Sequence, residues 1–125
     1  MSARFVILCT ALSGFITVAL GAFASHILRT QLSVRLYEVL QTGIQYQMFH
    51  TLALLGVGLL MLRQSDSGLR QTAVLFMAGI VFFSGSLYAL ALSGQHWLGA
   101  VTPVGGVLFL AGWLNLGRAA FRQLS

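Results

Sequence analysis

Hydrophobic positions along this chain come in long blocks, and the polar positions fall between them or gather at a few places inside them. Between Arg4 and His26 lie 21 consecutive residues without a formal charge, and between Glu38 and Arg63 lie 24, among which only His50 ionises near neutrality. A hydrocarbon core of ~30 Å needs about 20 residues of helix, so each block predicts one membrane span. From Gln71 to Gly117 the chain runs 47 residues without a charge. As one straight helix that run would reach about 70 Å at ~1.5 Å per residue, so it has to turn. The stretch "SGQHWLGAVTP" supplies the place, because Gly94, Gly99 and Pro103 interrupt the helix, while His96 and Trp97 suit the water interface. The pattern predicts an all-α, polytopic membrane protein: a bundle of four transmembrane helices at about 5–24, 44–62, 72–92 and 103–117, in one integral membrane domain over residues 1–125.

Residues 26–43, "HILRTQLSVRLYEVLQTG", mix the two kinds of position. Ser33 can cap a helix in which Leu36, Val39 and Leu40 face lipid while Arg35, Glu38 and Gln41 face water. This predicts an amphipathic segment lying on the membrane surface between the first two spans. The opening "MSAR" followed by an apolar stretch ending "AFAS" also has the layout of a secretory signal peptide, with an Ala-x-Ala site at Ala22 and Ala24. The stretch exceeds the roughly 7 to 15 apolar residues of such signals. It also carries Ser13, Thr17, Gly21 and Ser25 at four-residue spacing, a small-residue stripe suited to close helix packing. A retained span is therefore expected.

Composition agrees with the blocks: 58% of residues are hydrophobic and only 7% charged, far from the ~25% charged residues of soluble domains. The charges are seven arginines, Asp66 and Glu38. Their scatter leaves no basic patch for nucleic acid, so the expected partner is the lipid bilayer. Four spans place Arg4, Arg63, Arg70, Arg118 and Arg122 on one side and only Arg29 and Arg35 on the other. Because cytoplasmic loops carry the excess of Lys and Arg, both termini are expected in the cytoplasm. The tail "RAAFRQLS" sets Arg118 and Arg122 four apart, where anionic head groups can meet them.

Several chemistries are excluded. Glu38 and Asp66 fall on opposite sides of the membrane, whereas paired-carboxylate catalysis needs them within about 10 Å. There is no HExxH, CxxC, GxSxG or phosphate loop, and Cys9 is a lone cysteine without a disulfide partner. No enzyme, cofactor or metal site is expected. What remains is a set of hydrogen-bonding residues in or beside the spans, all expected in the outer half of the bundle: His26, Gln45, Tyr46, Gln47, His50, Ser84, Ser86, Tyr88 and Thr102. Tyr46, Gln47 and His50 share a helical face, whereas Gln45 points about a hundred degrees from Tyr46. Ser84 and Ser86 are expected to bond back to their own helix. The set has two readings: interhelical hydrogen bonding, or contact with a proton, metal, quinone or haem. Gly21, Gly85, Gly105, Gly106 and Gly112 are expected to let helices approach, with Pro103 in a tolerated first-turn position. Trp97 and Trp113 read as interface anchors, and Phe76, Phe82, Phe83 and Phe109 as lipid-facing or core residues.

"GAFASH" at 21–26, "QTGIQYQMFHTLALL" at 41–55, "FSGSLYALALSG" at 83–94 and "TPVGGVLFLAGW" at 102–113 together resemble the membrane proteins called domain of unknown function 423, related to the mitochondrial transmembrane protein 256. These pieces cover about half of the chain and recur in order through all four spans. One departure is Ala24 with Ser25, where that family more often has Gly then Ala before the histidine. The resemblance implies a four-span bacterial inner-membrane protein and carries no activity with it. The expected role is a non-enzymatic accessory or interaction protein, packing against a second copy or a larger membrane complex. The alternative is a small transport or ligand-binding unit built around His50.

Overall fold

The computed structural model describes residues 1–123, and among these every regular element is helical. Four long helices have the length and apolarity to cross a membrane: α1 (Ala3–Leu28), α2 (Val34–Arg63), α3 (Ser67–Ser93) and α4 (Thr102–Gln123), the last preceded by a 3-10 turn over His96–Ala100. Local chemistry sets their ends. The side chains of Ser2, Ser33 and Asp66 accept hydrogen bonds from the backbone N–H groups of Phe5, Leu36 and Leu69, each satisfying a first-turn donor that has no partner inside its helix. At the end of α3, Gly94 takes a left-handed conformation (φ 73°), and its N–H returns to the carbonyl of Leu90. That is the turn which splits the 47-residue uncharged run, where the sequence places it.

One expectation is corrected. Residues 34–43 do not form a separate surface helix, because the helix capped by Ser33 continues unbroken to Arg63. Leu40 does not face lipid; it is buried with Ile44 against Ala91 of α3. Arg35 and Glu38 are exposed, as the amphipathic pattern requires. The physical reason is the 30-residue length of α2: at ~1.5 Å per residue it outreaches the hydrocarbon core and carries its amphipathic end past it. The tail beginning at Arg118 likewise continues α4 as far as Gln123; Leu124 and Ser125 lie outside the described residues.

Helix α1 packs on α2, α2 on α3, and α3 on α4. The main apolar core joins Val6, Leu54, Val57, Leu69, Ala73, Phe76 and Phe109. Buried beside it are Thr10, Ser13, Thr17, Gln47, His50, Thr51, Thr72, Ser84 and Ser86, while Phe15, Phe23, Val34, Leu52, Leu110 and Leu114 are exposed. Polar groups inside and apolar groups outside is the arrangement lipid favours, since apolar surface costs nothing there and polar groups need internal partners. Two helices contain one wide π-helical turn each, Leu20–Ala24 in α1 and Ile80–Ser84 in α3. Such turns shift the face that a helix presents beyond them, and often occur at functional sites.

Candidate functional site

The expected polar set divides into two connected groups and several residues that join neither. The first group is a chain of side-chain hydrogen bonds linking α3, α2 and α1. The Tyr88 hydroxyl donates to Gln47 Oε1 at 2.5 Å. Gln47 Nε2 donates to Ser13 Oγ and to the Ser13 carbonyl at 3.0 and 3.2 Å. Ser13 Oγ lies 2.7 Å from Thr51 Oγ1, closing the chain back onto α2. Gly43 allows it: a Cβ there would lie 2.7 Å from Tyr88 Cε1, so any side chain would push the tyrosine ring away from Gln47. Ser84 contributes a parallel tie, donating to the Gly43 carbonyl at 2.7 Å. This corrects the expectation that Ser84 bonds back to its own helix; it sits at the end of the π turn, facing α2. Ser86 bonds both ways, to the Phe83 carbonyl at 2.9 Å and to Thr102 Oγ1 of α4 at 2.6 Å.

The second group centres on His50, only 3% exposed. Its Nε2 accepts from the indole N–H of Trp113 at 3.0 Å, and its Nδ1 lies 2.9 Å from the Tyr46 carbonyl. An indole nitrogen can only donate and a carbonyl can only accept. The two contacts therefore fix a neutral imidazole with its proton on Nδ1. Phe109 stacks on the ring at a centroid distance of 3.6 Å and 7° between planes, while Phe76 and Phe49 approach at steep angles. His50 sits near the middle of α2 and Trp113 near the middle of α4, so this group lies well inside the bundle, away from both of its ends. Beside it, a groove of about 450 Å³ opens toward lipid between α2 and α4, with Tyr46, Phe83, Val107, Leu110 and Trp113 in its walls.

The remaining candidates stand apart. His26 and His96 are exposed at the loop end of the bundle, Gln45 points outward beside Phe49, and Tyr46 is 43% exposed with its ring on Phe83 at 4.7 Å. Among the described residues no group of three potential metal ligands forms.

Of the glycines, Gly105 lies directly on the Phe83 backbone: a Cβ there would come within 2.6 Å of Phe83 Cα. Gly112 is equally tight, 2.6 Å from the Phe76 ring. Gly21 and Gly106 would make ordinary contacts at 3.7 and 3.9 Å. Gly85 would meet nothing within 4 Å, which corrects its expected packing role: the contact falls two residues earlier, at Phe83. Pro103 occupies the first turn of α4 as expected.

Sequence reasoning missed several partners. Trp113, expected at the interface, is the donor to His50. Ser13 and Thr51 complete the Gln47 chain. Asn115 Nδ2 ties α4 to α3 through the Gly68 carbonyl and Thr72 Oγ1 at 2.9 and 3.0 Å. The close approach of Gly79 to the Phe109 ring, where an added Cβ would lie 2.5 Å from Cε1, was also unmarked. A small, hydroxyl or amide residue inside an apolar run was the available signal for all of these except Trp113, which reads as an interface anchor.

Four apolar helices tied together by buried hydroxyl, amide and imidazole groups define a small polytopic membrane protein. The chain belongs to the family described as "Protein of unknown function (DUF423)", which matches residues 20–106. It is 49% identical over 113 residues to the "UPF0382 inner membrane protein YgdD" of Escherichia coli strain K12, covering 90% of this chain and 86% of that protein. A "UPF0382 membrane protein" of Haemophilus influenzae is 46% identical over 115 residues, 92% of each chain. The "UPF0382 membrane protein SH2409" of Staphylococcus haemolyticus is 40% identical over 119 residues, 95% of this chain and 97% of that one. No solved structure matches the chain.

Proposed function

We propose that this protein is a non-enzymatic accessory of the bacterial inner membrane, with both termini in the cytoplasm, that works by packing against another transmembrane protein or a second copy of itself. The observation that carries this reading is the occupation of His50: both ring nitrogens are held by groups of the same chain, and the lone pair that a metal or a proton would use is the one facing the Trp113 N–H. The Tyr88, Gln47, Ser13 and Thr51 chain is closed in the same way. Among the described residues no buried side-chain polar atom lacks a partner, so these groups act as interhelical ties worth about 0.6 kcal/mol each. The inner-membrane assignment rests on the name of the Escherichia coli relative, and the orientation on five arginines against two.

The groove between α2 and α4 is the surface this reading assigns to a partner helix, because its walls are apolar and Gly106, which lines it without a side chain, permits close approach. A photo-crosslinking side chain at Leu110, activated in native membranes, is expected to give a discrete adduct with a second copy or with another membrane protein. Adducts with lipid alone would contradict the reading. The rival role, a ligand unit at His50, draws on the same groove, since His50 forms part of its wall. It requires a bound quinone, haem or metal that leaves when His50 is replaced by phenylalanine.

A further inference from the structure

At the end of the bundle that carries both termini, the ends of α3 and α4 enclose a cavity of about 190 Å³ whose wall is mostly polar: Asp66, Gln71, Asn115, Arg118 and Arg122 line it. Gly68 and Ala119 hold the two helices together at its base, an added Cβ on Gly68 falling 3.0 Å from that of Ala119. Three of its residues, Ser67, Gln71 and Asn115, also line a larger groove of about 590 Å³ that continues along α3 past Arg70 to Val74 and Leu75. A charged pocket thus opens into an apolar channel, the two-part form of a phospholipid. Depth agrees with it. Trp113 lies near the middle of α4, and at ~1.5 Å per residue Arg118 and Arg122 stand about 7 and 14 Å further along. Half of a ~30 Å hydrocarbon core is about 15 Å, the level that Arg122 reaches directly and that Arg118, one turn deeper, reaches by extending its side chain toward the phosphates.

We propose that this end of the bundle holds one anionic phospholipid, with its phosphodiester between Arg118 and Arg122 and one acyl chain along Val74 and Leu75. Charge selects the headgroup. Arg70, Arg118 and Arg122 face a single acid, and Asp66 already accepts from the Leu69 N–H as the cap of α3. Basic pockets between spanning helices favour anionic lipids in this way. Asn115 Nδ2 is committed to Gly68 and Thr72, so it shapes the wall and leaves the phosphate to the guanidiniums.

The test is native mass spectrometry of detergent-purified full chain titrated with phosphatidylglycerol or with phosphatidylcholine of the same acyl chains. Wild type is expected to retain one phosphatidylglycerol in preference to phosphatidylcholine. The pair Arg118→Gln and Arg122→Gln is expected to weaken that binding about thirtyfold, taking ~1 kcal/mol per arginine near a charged lipid, while Arg29→Gln with Arg35→Gln at the opposite end leaves it unchanged. Val74→Trp, which fills the groove and leaves the charges alone, is expected to weaken both lipids together. Circular dichroism checks that every variant keeps its helix content. Equal retention of both lipids by wild type, equal loss from the two arginine pairs, or displacement of the lipid by millimolar inorganic phosphate would each overturn the proposal, the last by making a soluble anion the ligand.

Discussion

Trp113 decides what His50 can be. With the indole N–H on Nε2 and the Tyr46 carbonyl at Nδ1, the imidazole has one tautomer, and solid-state 15N NMR of the bilayer-embedded protein is expected to show the proton on Nδ1 alone. A signal from an Nε2–H imidazole would contradict the geometry. Trp113→Phe keeps an aromatic ring beside Phe49 and Phe76 but leaves Nε2 without its donor. Leaving a buried acceptor unpaired costs about 1–3 kcal/mol, whereas replacing both partners by apolar groups of similar shape is close to neutral. The double variant Trp113→Phe with His50→Phe is therefore expected to unfold at a higher denaturant concentration than Trp113→Phe alone. His50 stood out in the sequence as the ionisable residue of an apolar block. Its partner did not, because 63 positions separate the two and a tryptophan in a span reads equally well as an interface anchor.

At the scale of the helices, the uncharged blocks and the Ser33 cap are legible in the sequence. Ser33, Gly94 and Pro103 sit where the chain changes direction. The wide turns at Leu20–Ala24 and Ile80–Ser84 were not legible, since no proline or unusual residue marks them. That turn in α3 is why the glycine expectations were only partly met: it shifts the face beyond it, bringing Phe83 against Gly105 and Ser84 against Gly43, and leaving Gly85 open. Gly105→Leu is expected to lower stability by about 3 kcal/mol or more through overpacking against backbone, while Gly85→Leu stays within ~0.5 kcal/mol of wild type. Equal losses for the two in an unfolding titration would show that the α3–α4 register is wrong. Ser84→Ala removes one cross-helix tie and is expected to cost about 0.6 kcal/mol, with ~1.7 kcal/mol as its ceiling.

For the whole molecule, the location was readable from charge alone, because nine charges in 125 residues leave too little polar surface for water. Which polar groups meet was not readable, since register between helices depends on side-chain fit that periodicity does not encode. What the packing adds is closure: among the described residues every buried side-chain polar atom has a partner, and the open surfaces include a lipid-facing groove between α2 and α4 and a charged cavity at the termini. On the proposed function, the interior is a scaffold and the exterior is where the protein acts. The most direct measurement is native mass spectrometry of the protein released from its own membrane in mild detergent, beside the His50→Phe variant. A stoichiometric assembly heavier than the 13.5 kDa chain, formed equally by both, is the predicted result. A single chain carrying a quinone, haem or metal that is lost in His50→Phe would contradict this and make the buried imidazole the working part of the molecule.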